Sequence, residues 1–379
     1  MRDIAPDVWI VANTTWYVFN FRGRLIERLI NEGYRVTVCA PADDYTGRVI
    51  ALGARHLPLK FDNAGTNPVH EVIALTSMAR TFITGKPSVV LSFTPKVNIY
   101  ASLACSIAGV PVIANVSGLG RAFVAGGWLK LAAGLLYRLT FRIPVHVFFQ
   151  NEEDRSEFSA KKLVAYERTT RLPGSGVDVD RFSPQLPRAQ RTSATFLLVA
   201  RMIWDKGIGE FINAARAIRN EDPSVAFHLL GPLSPGHPTA ILPAELESWE
   251  QEGIVKYFGA TDDVAAFYAD ADCVVLPSYY REGVPRTLLE AASTGLPVIT
   301  TDAAGCRDAV EHEVTGYLCQ PRDAFDLARQ MRKFLALSGS DRQKMGNMGR
   351  EKMLREFDER LVLSAYMTAL SKLSIARRH

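Results

Sequence analysis

Short apolar runs alternate with longer segments of helical spacing along the whole chain. In the first half the runs "VWIVA", "RVTVCA", "PSVVLSF", "VPVIANV" and "VHVFFQ" are rich in β-branched and aromatic residues, as buried strands are. Helical segments separate them, such as "FRGRLIERLINEG", which ends in a glycine that can cap a helix. Continuous apolar strands between helices are typical of a parallel sheet covered on both faces, so we predict an α/β domain.

The same alternation starts again after residue 194 with the runs "TFLLVA", "VAFHLLG", "IVKYFG", "CVVLPS", "LPVITT" and "GYLC". Between and after these strands the spacing predicts helices over 207–219, 244–251, 262–269, 285–294, 323–337 and 341–374. We therefore predict two Rossmann-like doubly wound domains: an N-terminal domain over 1–175, a linker rich in Gly, Pro and Ser over 176–194, a C-terminal domain over 195–360, and a helix over 361–379 that can return to the N-terminal domain.

Composition and charge narrow the functional classes. The 379 residues are 47% hydrophobic and 22% charged, which is ordinary for a globular protein. A net charge of +4 is too small to indicate nucleic-acid binding and suits an anionic small molecule or an anionic membrane surface equally well. The five cysteines are scattered and do not cluster with histidines, so we expect reduced thiols in a cytoplasmic protein, no metal site and no cofactor. No apolar run reaches the ~20 residues of a membrane-spanning helix.

The stretch "YYREGVPRTLLEAASTG", residues 279–295, combines a turn with a short helix. It follows the predicted strand "CVVLPS", so it lies at the carboxyl edge of the sheet, where ligands bind. The free amides at the helix start form a ready anion site, and they belong to Gly283, Val284, Arg286 and Thr287. Glu282 and Glu290 supply carboxylates that accept hydrogen bonds from sugar hydroxyls. The alternative is that Glu282 is a turn residue and Glu290 a solvated helical residue.

Two cations occupy the first strand-to-helix loop of the second domain, in "LLVARMIWDKGIGEFI". Arg201 and Lys206 stand at the same carboxyl edge as the stretch above. Arginine binds phosphate as a planar fork and lysine as a point charge, so together they suit a diphosphate. The alternative is that both side chains only decorate a surface loop.

These residues resemble a family. "ARMIWDKGIGEFI" followed by "YYREGVPRTLLEAASTGLPVITTDAAGC" resembles the retaining glycosyltransferases of the GT-B fold, group 4, in which an interdomain cleft separates two Rossmann-like domains. Seven residues lie between Glu282 and Glu290, as between the paired glutamates of that family. The segments "TPKVNIYASLACSIAGVPVIANVSGLGRAF", "FQNEEDRSEF" and "GSGVDVDRF" resemble a bacterial subgroup that builds surface polysaccharides and glycan intermediates on polyprenyl diphosphate lipids.

The resemblance implies a role for each residue of the second domain. Arg201 and Lys206 hold the donor diphosphate, and Glu290 accepts hydrogen bonds from the ribose hydroxyls. Glu282 and the amides after it hold the transferred sugar, so Glu282, Arg201 and Lys206 are the implied catalytic residues. "FGATDDVAAFY" passes near the base, which is usually uracil. The implied reaction is retaining and independent of metal, and the leaving phosphate helps to deprotonate the acceptor while the protein stabilises charge.

The first domain is expected to bind the acceptor. The candidate contacts are Asn20 and Arg22 in "NTTWYVFNFRG", Lys96 and Asn98 in "SFTPKVNIY", and the backbone at Gly118 and Gly120, with Lys96 at the acceptor diphosphate. Many relatives carry a histidine where this chain reads "ANVSGLGRAF", so we assign no general base. The first loop lacks G-x-G-x-x-G, which argues against an NAD enzyme. The alternative for the aromatic residues of this loop is that they only pack it.

The segment "GGWLKLAAGLLYRLTFR", residues 126–142, mixes leucines with Lys130, Arg138 and Arg142. This pattern suits a helix at an anionic membrane surface, and a helix half-buried in its own domain is the alternative. Arginines of the first predicted helix add a basic face to the same domain.

We therefore predict transfer of a hexose or N-acetylhexosamine from a nucleotide sugar, expected to be UDP-linked, to a lipid-linked saccharide at the inner face of a bacterial cytoplasmic membrane. Two alternatives stay open. One is an enzyme of the same fold that uses a soluble acceptor or epimerises a UDP-sugar. The other is a non-catalytic protein that binds sugar nucleotides. No nucleic-acid partner is expected.

Overall fold

The computed structural model describes residues 5–59, 68–118, 134, 136–184 and 193–376. The chain divides into two compact units. Unit 1 comprises Met1–Ser175 together with Arg360–His379, and unit 2 comprises Gly176–Glu359.

Unit 1 is built on a parallel sheet. Its described strands are β1 (Asp7–Val11), β2 (Arg35–Ala40), β3 (Arg55–Pro58), β4 (Val89–Phe93), β5 (Val112–Val116), β6 (His146–Phe149) and β7 (Thr169–Arg171). They pair in the order β3-β2-β1-β4-β5-β6-β7, and every pair is parallel. The strand order reverses between β1 and β4, and the carboxyl ends of two such strands form the crevice in which doubly wound sheets bind ligands.

The described helices of unit 1 before its C-terminal segment are α1 (Thr15–Asn31), α2 (Thr46–Ala51), α3 (Pro68–Gly85), α4 (Pro95–Ala108) and α5 (Glu152–Ala160). α1 begins after Thr14, whose hydroxyl accepts a hydrogen bond from the amide of Tyr17. Its inner face carries Val18, Leu25 and Leu29, which lie in one core cluster with β1 and β4. The start of α1 is thereby fixed at the carboxyl end of β1.

Unit 2 repeats this plan. Its described strands are β8 (Thr195–Val199), β9 (Ala226–Leu230), β10 (Lys256–Tyr257), β11 (Cys273–Leu276), β12 (Val298–Thr301) and β13 (Gly316–Cys319). They pair in parallel in the order β10-β9-β8-β11-β12-β13, so the order reverses between β8 and β11. The described helices are α6 (Ile208–Glu221), α7 (Pro243–Gln251), α8 (Val264–Ala269), α9 (Arg286–Ser293), α10 (Ala324–Leu335) and α11 (Gly339–Lys352).

The sheet of unit 2 is covered on both faces. Phe196 and Leu198 of β8 pack in one core cluster with α6 and α10. Leu197 and Val199, which alternate with them, pack in a second cluster with α9. Strands buried on both faces explain the continuous apolar runs of the sequence, and the predicted fold of two Rossmann-like parallel sheets is confirmed.

The prediction of one helix over 341–374 is wrong. After α11 the chain forms a π-helical turn over Met353–Phe357, and α12 (Glu359–Ala376) begins after Asp358. The amide of Val177 donates to the carbonyl oxygen of Phe357, and the amide of Glu359 donates to that of Val177. Because these bonds pair the backbone with a distant segment, the helical ladder is interrupted at this point.

α12 packs against the sheet of unit 1. Val362, Tyr366 and Leu370 are buried in the same core cluster as Ile10 of β1 and Leu91 of β4. Of the predicted linker, residues 176–184 are described and lie in unit 2, where Val177 and Phe182 are buried beside α9. Residues 185–192 lie outside the described part of the chain.

Candidate functional site

Two loops meet at the carboxyl edge of the unit 2 sheet, where the strand order reverses. The first follows β8, and the second follows β11. Gly207 ends the first loop with φ +77°, and a Cβ atom there would lie 2.1 Å from the carbonyl oxygen of Pro277. Only glycine permits this approach. The amides of Tyr279 and Tyr280 donate to the carbonyl oxygen of Asp205, each at 3.1 Å, so backbone hydrogen bonds also hold the two loops together.

Lys206 and Glu282 form an ion pair between these loops. The ammonium nitrogen of Lys206 lies 2.5 Å and 2.6 Å from the two carboxylate oxygens of Glu282. Lys206 is only 8% exposed, and the hydroxyl of Ser278 donates to the same carboxylate at 2.9 Å. Partial burial strengthens the pair and limits screening by salt. The structure therefore brings together two of the predicted site residues and orients the lysine.

The segment after Glu282 offers unpaired backbone amides. α9 begins at Arg286, one residue later than predicted, with Pro285 as its N-cap in an extended conformation. Within the described residues, the amides of Gly283, Val284 and Thr287 have no hydrogen-bond partner. The backbone of Gly305, at φ +80°, approaches the carbonyl oxygen of Gly283 so closely that a Cβ atom would lie 2.3 Å from it. These amides stand beside the ion pair and suit an anionic oxygen.

Glu290 is a buried carboxylate. It is 8% exposed, its Oε2 accepts a hydrogen bond from the hydroxyl of Tyr268 at 3.1 Å, and its Oε1 lies 2.9 Å from Nε of Arg286. Burial raises the pKa of Glu290, and the charge of Arg286 and the hydrogen bond from Tyr268 act against this rise. The alternative of a solvated helical glutamate is therefore wrong, because the side chain lies inside unit 2.

Arg201 occupies the loop after β8 but takes no part in the ion pair. Its side chain is exposed, and within the described residues it makes no hydrogen bond or ion pair. Its carbonyl oxygen accepts from the amide of Ile203. The guanidinium group is thus available at the edge where Lys206 is held.

The predicted acceptor residues of unit 1 are spread over several environments. Asn20 donates to the carbonyl oxygen of Trp16 at 2.9 Å, within α1. Asn98 is fully buried, and its amide group bonds to Ser92 and to the carbonyl oxygen of Asn115, each at 2.8 Å. The side chain of Asn98 therefore ties α4 to the sheet and offers no surface to a ligand. Gly118 is buried at φ +110°, and Gly120 lies outside the described residues.

The two cations predicted for the acceptor also differ from each other. The ammonium nitrogen of Lys96, near the start of α4, lies 2.7 Å from Oε1 of Glu71. Arg22 is 2% exposed, on the inner face of α1, where its guanidinium carbon lies 4.5 Å from the centre of the Phe93 ring. The expectation that Arg22 contacts the acceptor stays a prediction, and the burial of its side chain leaves little of the guanidinium group at the surface.

Sequence reasoning missed two residues of the unit 2 site. The sequence places Tyr268 in a segment expected near the base, and the structure shows its hydroxyl donating to Oε2 of Glu290. Ser278 was read as the end of a strand, whereas it donates to Glu282. Both contacts depend on which loop reaches which, and residue spacing carries no signal for that.

Three further features of the described part of the chain bear on its chemistry: possible metal ligands, thiols and apolar helices. No group of three or more His, Cys, Asp or Glu residues there is arranged to hold a metal ion. All five cysteines are buried as free thiols, and burial together with Glu282 raises the pKa of Cys306 to about 12. Of the helices described, none combines the length and the hydrophobicity that crossing a bilayer requires.

Two family models match the chain one after the other. Residues 21–175 match the "Glycosyl transferase 4-like domain", and residues 180–352 match "Glycosyl transferases group 1". The chain belongs to this family of GT-B glycosyltransferases, group 4, and it is a glycosyltransferase.

Curated relatives extend over most of the chain. It is 25% identical over 366 residues, 92% of this chain and 94% of the relative, to the N,N'-diacetylbacillosaminyl-diphospho-undecaprenol alpha-1,3-N-acetylgalactosaminyltransferase of Campylobacter jejuni. It is also 25% identical over 272 residues, 67% of this chain and 68% of the relative, to the UDP-Gal:alpha-D-GlcNAc-diphosphoundecaprenol alpha-1,3-galactosyltransferase of Escherichia coli.

Solved structures share the fold. Anabaena Alr3699/HepE, crystallised with UDP and glucose, has a TM-score of 0.79 at 16% identity, over 97% of this chain and 100% of that one. The sucrose-phosphate synthase of Thermosynechococcus elongatus has a TM-score of 0.78 at 18% identity, over 98% of this chain and 100% of that one. At such identities the likeness concerns the fold alone.

Proposed function

We propose that this glycosyltransferase moves a hexose or an N-acetylhexosamine, with retention of configuration and without a metal, from a UDP-sugar to a saccharide carried on a polyprenyl diphosphate. The assignment of a nucleotide-sugar donor rests on one observation, the ion pair of Lys206 with Glu282 beside three unpaired amides. An anion-binding edge next to carboxylates that accept hydrogen bonds suits a molecule with both phosphates and hydroxyl groups.

Each donor group has a candidate partner in unit 2. Lys206 and Arg201 neutralise the diphosphate, and the amides of Gly283, Val284, Arg286 and Thr287 hold the oxygens of the phosphate or of the transferred sugar. Glu290 accepts hydrogen bonds from the ribose hydroxyls, which its burial makes strong. Glu282 orients Lys206 and contacts the sugar.

The chemistry rests on charge stabilisation. As the bond between the sugar and the diphosphate breaks, negative charge grows on the leaving oxygen, and a fixed ammonium group with oriented amides stabilises it. The leaving phosphate takes the proton of the attacking acceptor hydroxyl, so no protein base is assigned. Attack on the face from which the phosphate leaves retains the configuration.

The acceptor class is supported by the relatives. The printed names of the Campylobacter and Escherichia enzymes both specify a saccharide on diphospho-undecaprenol, and the latter specifies a UDP donor. We carry this class to the present chain, with unit 1 as the acceptor-binding part. With such an acceptor, we propose that the enzyme acts at the inner face of the bacterial cytoplasmic membrane.

A surface of unit 1 suits an anionic membrane. Leu136 and Leu139 are 43% and 60% exposed, and Arg138 and Arg142 are exposed beside them. Tyr137, on the same short segment, is buried, so this part of 126–142 has one buried face and one apolar and basic outer face. We expect Leu139→Asp to weaken sedimentation with anionic vesicles and to leave UDP binding unchanged. Equal sedimentation would argue against this surface.

A direct test measures UDP release and product formation. The purified protein is supplied with UDP-hexoses and UDP-N-acetylhexosamines, with and without a saccharide on a short polyprenyl diphosphate. We expect UDP release and a new glycosidic bond only when both substrates are present. Three other outcomes would contradict this proposal. Epimerisation of the UDP-sugar without acceptor, or transfer to soluble saccharides alone, would indicate another enzyme of the same fold. Nucleotide binding without turnover would indicate a non-catalytic binding protein.

A further inference from the structure

Arg22 is a buried cation without an acidic partner. Within the described residues no carboxylate forms an ion pair with it, and its Nε has no hydrogen-bond partner. Nη1 donates to the carbonyl oxygen of Phe21, and Nη2 donates to the hydroxyl of Tyr17 at 3.0 Å. Burial acts to lower the pKa of Arg22, but the oxygens of Tyr17 and Tyr366 outweigh it, so Arg22 stays charged. A buried charge without an ionic partner and with one donor unused costs folding free energy, which makes Arg22 a candidate for a role beyond packing.

The position of Arg22 is the place where doubly wound sheets bind ligands. It stacks on Phe93, the last residue of β4, and lies on α1, which follows β1; the strand order of unit 1 reverses between these two strands. Thr94, directly after Phe93, has φ +74°, a strained conformation for a residue other than glycine. α4 begins at Pro95, and within the described residues the amide of Val97 has no partner.

Tyr17 connects this charge to the exterior. It is partly exposed, and its hydroxyl oxygen accepts from Arg22, which leaves the phenolic proton for another acceptor. No described residue accepts that proton. A hydroxyl that already accepts from a guanidinium group is a stronger donor, because consecutive hydrogen bonds polarise one another.

The start of α1 itself is already occupied. The carboxylate of Asp43 accepts hydrogen bonds from the hydroxyl of Thr15 and from the amide of Trp16. An incoming anion is therefore not expected at these amides. The recognising groups are the hydroxyl of Tyr17, the start of α4, and Lys96, whose ammonium group is shared with Glu71.

We propose that Tyr17 binds the diphosphate group of the acceptor and that Arg22 is a positioning residue that orients and polarises the Tyr17 hydroxyl. The identity of this anion as part of the acceptor rests on the function proposed above. The chemistry recognised is a diphosphate, whether free or esterified to a lipid. Lys96 supplies a second positive charge at the same edge.

Binding of inorganic pyrophosphate and of farnesyl diphosphate to the full chain tests the site by calorimetry. UDP is present at saturation to fill the unit 2 site. We expect Tyr17→Phe to weaken pyrophosphate and farnesyl diphosphate binding about tenfold and to leave UDP affinity unchanged. Tighter binding of farnesyl diphosphate than of pyrophosphate identifies a lipid-linked ligand, and equal binding identifies the free anion. Tyr166→Phe is the matched control, since the ring centre of the exposed Tyr166 lies 3.9 Å from the guanidinium carbon of Arg155.

Unfolding of Arg22→Met separates a ligand role from a structural one. Replacing a buried charge that has no acidic partner by an apolar side chain of similar length is expected to leave the unfolding midpoint equal to or above that of the parent, while pyrophosphate no longer raises it. A lower midpoint together with unchanged pyrophosphate affinity in Tyr17→Phe would overturn the proposal. Failure of the proposed function is a different result, because it appears as loss of UDP binding or of transfer in the parent protein.

Discussion

The ammonium nitrogen of Lys206 lies within 2.6 Å of both carboxylate oxygens of Glu282, although the two residues are 76 positions apart along the chain. The pair bridges the loops after β8 and β11, and the hydroxyl of Ser278 donates a further hydrogen bond to Oε1 of Glu282. A lysine fixed in this way presents its charge at one point of the sheet edge. Its positive charge, and not its packing, is the property that a diphosphate requires.

Replacing Lys206 by alanine is expected to abolish transfer while the protein stays folded. Loss of a single charge that stabilises a leaving group costs about a hundredfold or more in turnover. Glu282 keeps its hydrogen bond from Ser278 and is partly exposed, so it tolerates the loss. Steady-state rates and thermal unfolding are the measurements. Lys161→Ala is the control, because Lys161 forms an exposed pair with Glu157. Normal turnover in Lys206→Ala would refute the assignment.

Tyr268→Phe is expected to weaken UDP binding about tenfold by removing one hydrogen bond to a carboxylate. The hydroxyl of Tyr268 donates to Glu290 and lowers the pKa of that carboxyl, so its loss raises this pKa. As the pH is lowered, the UDP affinity of the variant should therefore begin to fall at a higher pH than the UDP affinity of the parent. Calorimetric titration over a pH series measures this shift. Tyr257→Phe is the control, since the Tyr257 hydroxyl donates to the carbonyl oxygen of Gly231. If Tyr268→Phe still weakened UDP binding in a protein that already carries Glu290→Gln, Tyr268 would not act through Glu290, and the prediction would be wrong.

Glu290→Gln should change the pH dependence of stability in a defined direction. Burial raises the pKa of Glu290 in the folded protein. The folded state therefore holds this proton more tightly than the unfolded state, and the contribution of Glu290 to the free energy of unfolding is lost as the pH rises through the folded pKa. Glutamine does not titrate, so the variant should gain stability relative to the parent as the pH rises. Urea unfolding at several pH values is the measurement, and a gain that grows toward acid would contradict the burial argument.

The sequence predicts the parts of this molecule that depend on local pattern. Apolar runs predict both parallel sheets, and the position of Lys206 and Glu282 after two of the predicted strands predicts that both lie at the same carboxyl edge, although it does not predict their ion pair. The burial of Arg22 was not predicted, although the helical spacing carries a signal for it: Arg22 lies four residues after Val18 and three before Leu25, on the inner face of α1.

Other features depend on contacts between distant segments. The break before α12 follows from backbone hydrogen bonds to Val177, and the hydrogen bond of Tyr268 with Glu290 joins two helices that follow different strands. Neither contact leaves a periodic signal in the sequence. The same holds for Lys96 and Glu71, whose pairing depends on how α3 packs on α4.

Gly207→Ala is expected to destabilise unit 2 and to impair transfer together. Its φ of +77° disfavours any other residue, and its Cβ atom would collide with the carbonyl oxygen of Pro277 at 2.1 Å. The two loops that carry Lys206 and Glu282 must then separate. Gly259→Ala is the matched control, because Gly259 has φ +70° and no atom within 4 Å of the added carbon. The control should lose about 1–2 kcal/mol from backbone strain alone. Gly207→Ala should lose more and also lower the rate of transfer, and equal losses in the two variants would show that the close approach of the loops is not required.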